Sequence, residues 1–165
     1  MLDGLCALFR DTLSAGESVV AVMTNSHRSG TGKQLTARGI DLSEAIKNGR
    51  LTIFDADRAL SEFMDANGPD PDRFLLLFGS AIRAAEAASM VKNTRVVVFG
   101  EMVAVLWADE MYEAAIRLEE LWNELALTFS FYLCCAYPAS GFRGTLKRQP
   151  YDKICAQHSE VVSAF

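Results

Sequence analysis

The stretch that decides the fold is Arg95-Val96-Val97-Val98-Phe99-Gly100-Glu101-Met102. A run of β-branched residues ending at a glycine and a carboxylate, followed by helical periodicity, reads as a buried strand that delivers Glu101 to its carboxyl end. In an open α/β sheet ligands bind in the groove outside the carboxyl ends of the strands, so Glu101 stands where a site is expected.

Working outward, Val19-Val20-Ala21-Val22-Met23 is a second continuous apolar run, and Leu51-Thr52-Ile53-Phe54-Asp55 a third strand. Residues 129–137 form a fourth strand closing at Pro138. Between them the pattern turns helical. Leu2, Leu5, Cys6, Phe9 and Leu13 predict a helix over residues 3–15, with Gly16 as its C-terminal cap. Residues 26–32 read as a loop and 33–37 as a short helix, and Asp41 can cap a helix that ends at Asn48-Gly49. Ala59, Leu60, Phe63 and Met64 continue as a helix, and Asn67-Gly68-Pro69-Asp70-Pro71 is the clearest break, a surface loop. From Pro71 a long helix follows with Phe74, Phe78, Ala81, Ala85 and Ala88 on one face and Leu75 and Ile82 on its flank. Another spans about residues 109–127, and the tail 151–165 starts with a short helix. Strands alternating with helices predict an α/β fold, a three-layer sandwich with a mainly parallel central sheet.

The 165 residues suit a single domain, large enough to bury a core without disulfides. Half the residues are hydrophobic and 22% are charged, a globular composition, and no apolar run approaches the ~20 residues of a membrane span. Net charge is -5, with Lys and Arg scattered apart from Arg143, Lys147, Arg148 and Lys153, so direct nucleic-acid binding is not expected. Four cysteines without scaffold spacing, Cys6, Cys134, Cys135 and Cys155, point to a reducing cytoplasm.

Several constellations invite chemistry. Ser29-Gly30-Thr31-Gly32-Lys33 resembles a phosphate-cradling loop, but His27 stands where the P-loop needs glycine and Gln34 where it needs Ser or Thr. Glu101, with Trp107 six residues on, can accept hydrogen bonds from a ligand, or be satisfied internally. On the helix after residue 109, Met111, Ala114, Ala115, Leu118, Leu121, Trp122 and Leu125 form the core stripe. At about 100° per residue, Tyr112, Ile116, Glu119 and Asn123 line one edge of it, a pocket wall or an ordinary boundary row. Cys155 and His158 share a helix face, yet Cys134 and Cys135 point to opposite sides of a strand, so no metal site is expected. His27 reads as a solvated loop histidine, and no nucleophilic triad is visible, so neither catalysis nor a cofactor is expected.

A resemblance runs through Gly16-Glu17-Ser18-Val19-Val20, His27-Arg28, Arg38-Gly39-Ile40-Asp41, Gly49-Arg50-Leu51, Asp55-Ala56, Phe99-Gly100-Glu101-Met102-Val103 and Leu106-Trp107. It continues through Leu118-Glu119-Glu120-Leu121-Trp122-Asn123, Cys135-Ala136-Tyr137-Pro138 and Ile154-Cys155-Ala156-Gln157-His158-Ser159. With these segments the chain resembles the MEDS family, the methanogen and methylotroph sensory domain named after the regulator of dichloromethane metabolism. The resemblance implies a signal-input domain over residues 1–165 that senses small hydrocarbon-like compounds ahead of a histidine kinase or a DNA-binding output. It also implies a distant relation to RecA and KaiC type ATPases, in which Glu101 lies at or next to the Walker B acid. Members of the family begin with a strand ending in an aromatic pair, whereas this sequence opens directly on helical periodicity, so the expected sheet lacks that first strand and a homodimer can cover its edge.

The expected site is an effector pocket at the strand carboxyl ends, formed by Glu101 and bordered by Trp107, Tyr112, Glu119, Asn123 and Tyr137. A degenerate nucleotide-binding domain without hydrolysis and a dimerising interaction module are the alternatives.

Overall fold

The computed structural model describes residues 2–40, 42–137 and 148–160. In chain order the elements are α1 (Leu2–Ser14), β1 (Val19–Met23), α2 (Asn25–Ala37), α3 (Leu42–Lys47), β2 (Leu51–Asp55) and α4 (Ala56–Phe63). A two-stranded hairpin of β3 (Met64–Asp65) and β4 (Gly68–Pro69) leads into α5 (Pro71–Ala88), β5 (Val96–Gly100), α6 (Met102–Ala108), α7 (Tyr112–Ala126), β6 (Phe131–Cys135) and α8 (Arg148–Cys155).

The central sheet has four strands in the order β2-β1-β5-β6, every pair parallel. Every residue of the two inner strands is buried, which is why both read as unbroken apolar runs rather than as alternating ones. The alternation survives in what each residue touches. Val20, Val22, Val96 and Val98 pack with α4, α5, α6 and α7, whereas Val19, Ala21, Met23, Val97 and Phe99 pack with α1, α2 and α3. Two cores on opposite faces of one parallel sheet make the three-layer α/β sandwich.

Local chemistry sets the helix ends. Asp55 and Asp70 cap α4 and α5, each accepting from the backbone N–H three residues on, and Pro71 fills the first turn of α5 where no N–H is needed. Gly16 ends α1 at φ +82°, in the left-handed region, and a Cβ there would lie 3.1 Å from Met90 Cβ. Gly16→Ala is therefore expected to cost about 1–2 kcal/mol, read as a lower denaturant midpoint with unchanged slope. A neutral substitution would show that this turn is not held in place by its packing.

Three sequence expectations are corrected. Residues 26–32 are not a loop: α2 runs unbroken from Asn25, because Thr31 and Leu35 are buried against the α1 side of the sheet and that burial outweighs the poor helix propensity of Ser29, Gly30 and Gly32. His27 is accordingly a helical residue. Met64, expected to continue the helix, begins β3, and its partner β4 occupies Gly68–Pro69 within the expected surface loop, with Asp70 N donating to the Phe63 carbonyl. The last helix of the 109–127 stretch starts at Tyr112, leaving Met111 outside it and exposed. Asp41, Pro138, Arg143, Lys147 and residues 161–165 lie outside the described residues. No helix among the described residues is long and apolar enough to cross a membrane.

Candidate functional site

The chain leaves β1 toward β2 on one side and later places β5 and β6 on the other, so the strand order reverses between β1 and β5. Connections that depart to opposite faces cannot close over this point, and a crevice opens at the carboxyl ends of the two strands. Register puts those ends level: Val22 lies opposite Gly100, Met23 opposite Asp55, and Gly100 opposite Cys135.

A cleft of about 390 Å³ occupies this crevice. The segment after β1 contributes Thr24, Ser26 and His27, and the segment after β6 contributes Ala136 and Tyr137. After β5 come Glu101 and the α6 face of Ala104, Val105 and Ala108. Asp57 and Asp109 stand at the acidic margin. The lining thus mixes small apolar side chains with polar ones, the most buried of which makes its floor.

Glu101 is that floor. Its side chain is buried, 3% exposed by residue, and all its polar capacity is directed inward. Oε2 accepts from Thr24 N at 2.7 Å and from Thr24 Oγ1 at 3.0 Å, and Oε1 pairs with His27 Nδ1. The backbone of Glu101 also donates to the Val22 carbonyl at 3.0 Å and starts α6. One residue therefore fastens the end of β1, the first turn of α2 and the start of α6. With the carboxylate as acceptor, His27 donates through Nδ1, which leaves Nε2 as the remaining polar atom of a ring that is 33% exposed and lines the cleft. The imidazole is the exposed end of the pair, with the carboxylate buried behind it.

The other expected residues divide. Tyr137 lines the cleft, and its hydroxyl donates to Glu119 Oε1, so Glu119 is one side chain removed from the cleft. Glu119 is buried at 2% exposure and also accepts from Cys135 Sγ at 3.6 Å, which removes it from any half-exposed boundary row. Burial pushes its carboxyl above the usual range, while His158 and the bonds from Tyr137 and Cys135 pull the other way. Burial likewise raises the Cys135 thiol, with Glu119 adding to the effect, and the Tyr137 phenol. Trp107 is buried and packs edge-on against Tyr112 at 4.8 Å, and neither belongs to the cleft lining. Asn123 is exposed and donates to the Gln157 carbonyl and side chain at 3.1 and 3.0 Å.

Sequence reasoning missed Thr24, His27 and the α6 face of Ala104 and Ala108. The rule that located Glu101 after β5 applies equally after β1, where Thr24 and His27 were legible as strand-end residues. The Ser29-Gly30-Thr31-Gly32-Lys33 segment is interior to α2, so its amides are committed to the helix and form no phosphate cradle.

A family model, MEDS, described as the MEthanogen/methylotroph, DcmR Sensory domain, matches residues 1–151. No curated protein and no solved structure matches the chain.

Proposed function

The chain belongs to the MEDS family of sensory domains, and from that premise we propose that it binds a small, hydrocarbon-like effector in the switch-point cleft and passes its occupancy to a kinase or DNA-binding output in the cytoplasm. The observation that carries this reading is the cleft itself, at about 390 Å³ within the size range of small-molecule sites, with the Glu101–His27 pair at its floor. Ala104, Val105, Ala108 and Ala136 offer apolar contact, and His27 offers a single directed hydrogen bond. This suits a guest with a short apolar body and one polar group. The reading is binding without turnover, by one sensory domain over the whole 165 residues.

Signal transfer has a structural route. α2 packs with the core on one face of the sheet and α6 with the core on the other. A guest that touches His27 on α2 and Ala104 on α6 is in contact with both outer layers, so its binding favours whichever arrangement of the two helices fits it better.

Filling the cleft tests this. Ala104→Leu adds three carbons to a partly buried cleft wall, so a panel of short alcohols, haloalkanes and hydrocarbons titrated calorimetrically should bind the native chain and bind the variant at least about tenfold more weakly, about 1.4 kcal/mol. Equal affinity for both proteins would remove the cleft as the effector site.

A further inference from the structure

Beside the cleft, three side chains from separate parts of the chain converge. Glu119 lies on α7, Cys135 ends β6 and His158 follows α8, and one ligand atom from each lies within 4.8 Å of the other two. Cys135 Sγ is 3.6 Å from Glu119 Oε2, and His158 Nε2 is 3.5 Å from Glu119 Oε1. A tetrahedral zinc ion, with bonds of about 2.3 Å to sulfur and about 2.0 Å to nitrogen or oxygen, holds its ligand atoms about 3.3–3.5 Å apart. The two contacts to the Glu119 carboxylate, one to each of its oxygens, are close to that spacing, and with all three donor atoms within 4.8 Å of one another a small turn of the side chains brings them around one ion.

His158 is the residue that hydrogen bonding within the cluster leaves without a role. Its Nδ1 lies 2.9 Å from the Ile154 carbonyl, which can only accept, so Nδ1 carries a proton and Nε2 is the atom through which the ring can take a cation. Nε2 is buried and has no hydrogen-bond partner among the described residues. It faces a carboxylate oxygen at 3.5 Å, a pair that needs positive charge between its lone pairs away from water, and either a proton on Nε2 or a bound cation supplies it. An imidazole anchored through Nδ1–H to a backbone carbonyl, with Nε2 directed at other donor atoms, has the orientation that metal sites impose on histidine.

We propose that Glu119, Cys135 and His158 form a binding site for a divalent transition-metal ion of zinc type, ligated by the Glu119 carboxylate, Cys135 Sγ and His158 Nε2. The mixed sulfur, nitrogen and oxygen set favours zinc over magnesium or calcium, which prefer oxygen alone. On binding, the Cys135 thiol gives its proton to solvent and the ion takes the thiolate. Tyr137 holds the carboxylate through its hydroxyl at Oε1, and its ring forms part of the cleft wall, which places the ion one side chain from the effector. The sequence pairing of Cys155 with His158 is replaced by a cross-chain set that ties α7, β6 and the segment after α8 together. Neither Glu101 nor His27 takes part, so this site stands or falls independently of the effector reading.

The test uses the full chain, freed of metal with a chelator and titrated with cobalt(II) alone. A sulfur-to-cobalt charge-transfer band that saturates at one equivalent is expected, and zinc added alone should appear as a single bound ion in the native mass spectrum. Cys135→Ser removes the band and weakens zinc binding by more than about tenfold, whereas Cys134→Ser, on the exposed neighbour, leaves both unchanged. His158→Gln keeps a sulfur ligand but also weakens zinc binding more than about tenfold, and it decides the matter should the Cys135 variant fail to fold. The proposal is overturned if the native chain gives no band, if the band survives Cys135→Ser or is lost in Cys134→Ser, or if His158→Gln binds zinc as tightly as the native chain.

Discussion

Trp122→Ala is expected to lower the free energy of unfolding by about 3–5 kcal/mol, the range for truncating a fully buried large aromatic residue. Trp122 is 1% exposed and joins two helices to the sheet: its ring meets Phe74 at 4.9 Å and Phe78 at 4.8 Å on α5, and Phe131 at 6.0 Å on β6. The loss combines the transfer free energy of the indole with a cavity that these rings, themselves packed against Phe63 and one another, cannot collapse to fill. For a domain with typical total stability of about 5–15 kcal/mol, that is a large fraction. Urea unfolding of both proteins measures it. Leu127→Ala, at a side chain 89% exposed, should stay within about 0.5 kcal/mol and serves as the reference. A loss under about 1 kcal/mol for Trp122→Ala would mean that the α5–α7 contact does not carry the core.

Glu101→Ala is expected to abolish effector binding and to cost about 1–3 kcal/mol of stability, because it leaves a partly buried backbone N–H without its acceptor. That donor is Thr24 N, and Thr24 Oγ1 and His27 lose the same partner. Glu101→Gln separates the two effects. Its amide oxygen can still accept from Thr24, while its NH₂ meets His27 Nδ1 donor to donor and turns the ring or changes its tautomer. Stability should then remain near native while effector affinity falls by about tenfold or more, equivalent to about 1.4 kcal/mol. Native affinity in Glu101→Gln would show that the imidazole does not meet the guest, even with the cleft correctly located.

The strands were legible because each carries its own signal. Val96, Val97 and Val98, and Val19 through Met23, are apolar without interruption since both faces of an inner parallel strand are covered, and Asp55, Asp70 and Gly16 mark ends by their own capping chemistry. α2 was not legible in the same way. Its Ser and Gly residues favour a loop locally, and the helix exists because Thr31 and Leu35 find burial that only the assembled layer provides. Glu119 shows the same limit on another helix: its position on α7 could be placed by counting, but its burial depends on Tyr137 and Cys135 arriving from β6.

The four central strands, their parallel arrangement and the placement of Glu101 at a strand end were determined by the sequence itself, because periodicity and β-branched runs act over a few neighbouring residues. Which side chains meet at that strand end was decided by tertiary structure. His27 lies 74 positions before Glu101, and Cys135 16 positions after Glu119. The first pairing follows from β1 and β5 lying side by side and the second from α7 packing on β6, juxtapositions that leave no local trace in either partner's neighbourhood.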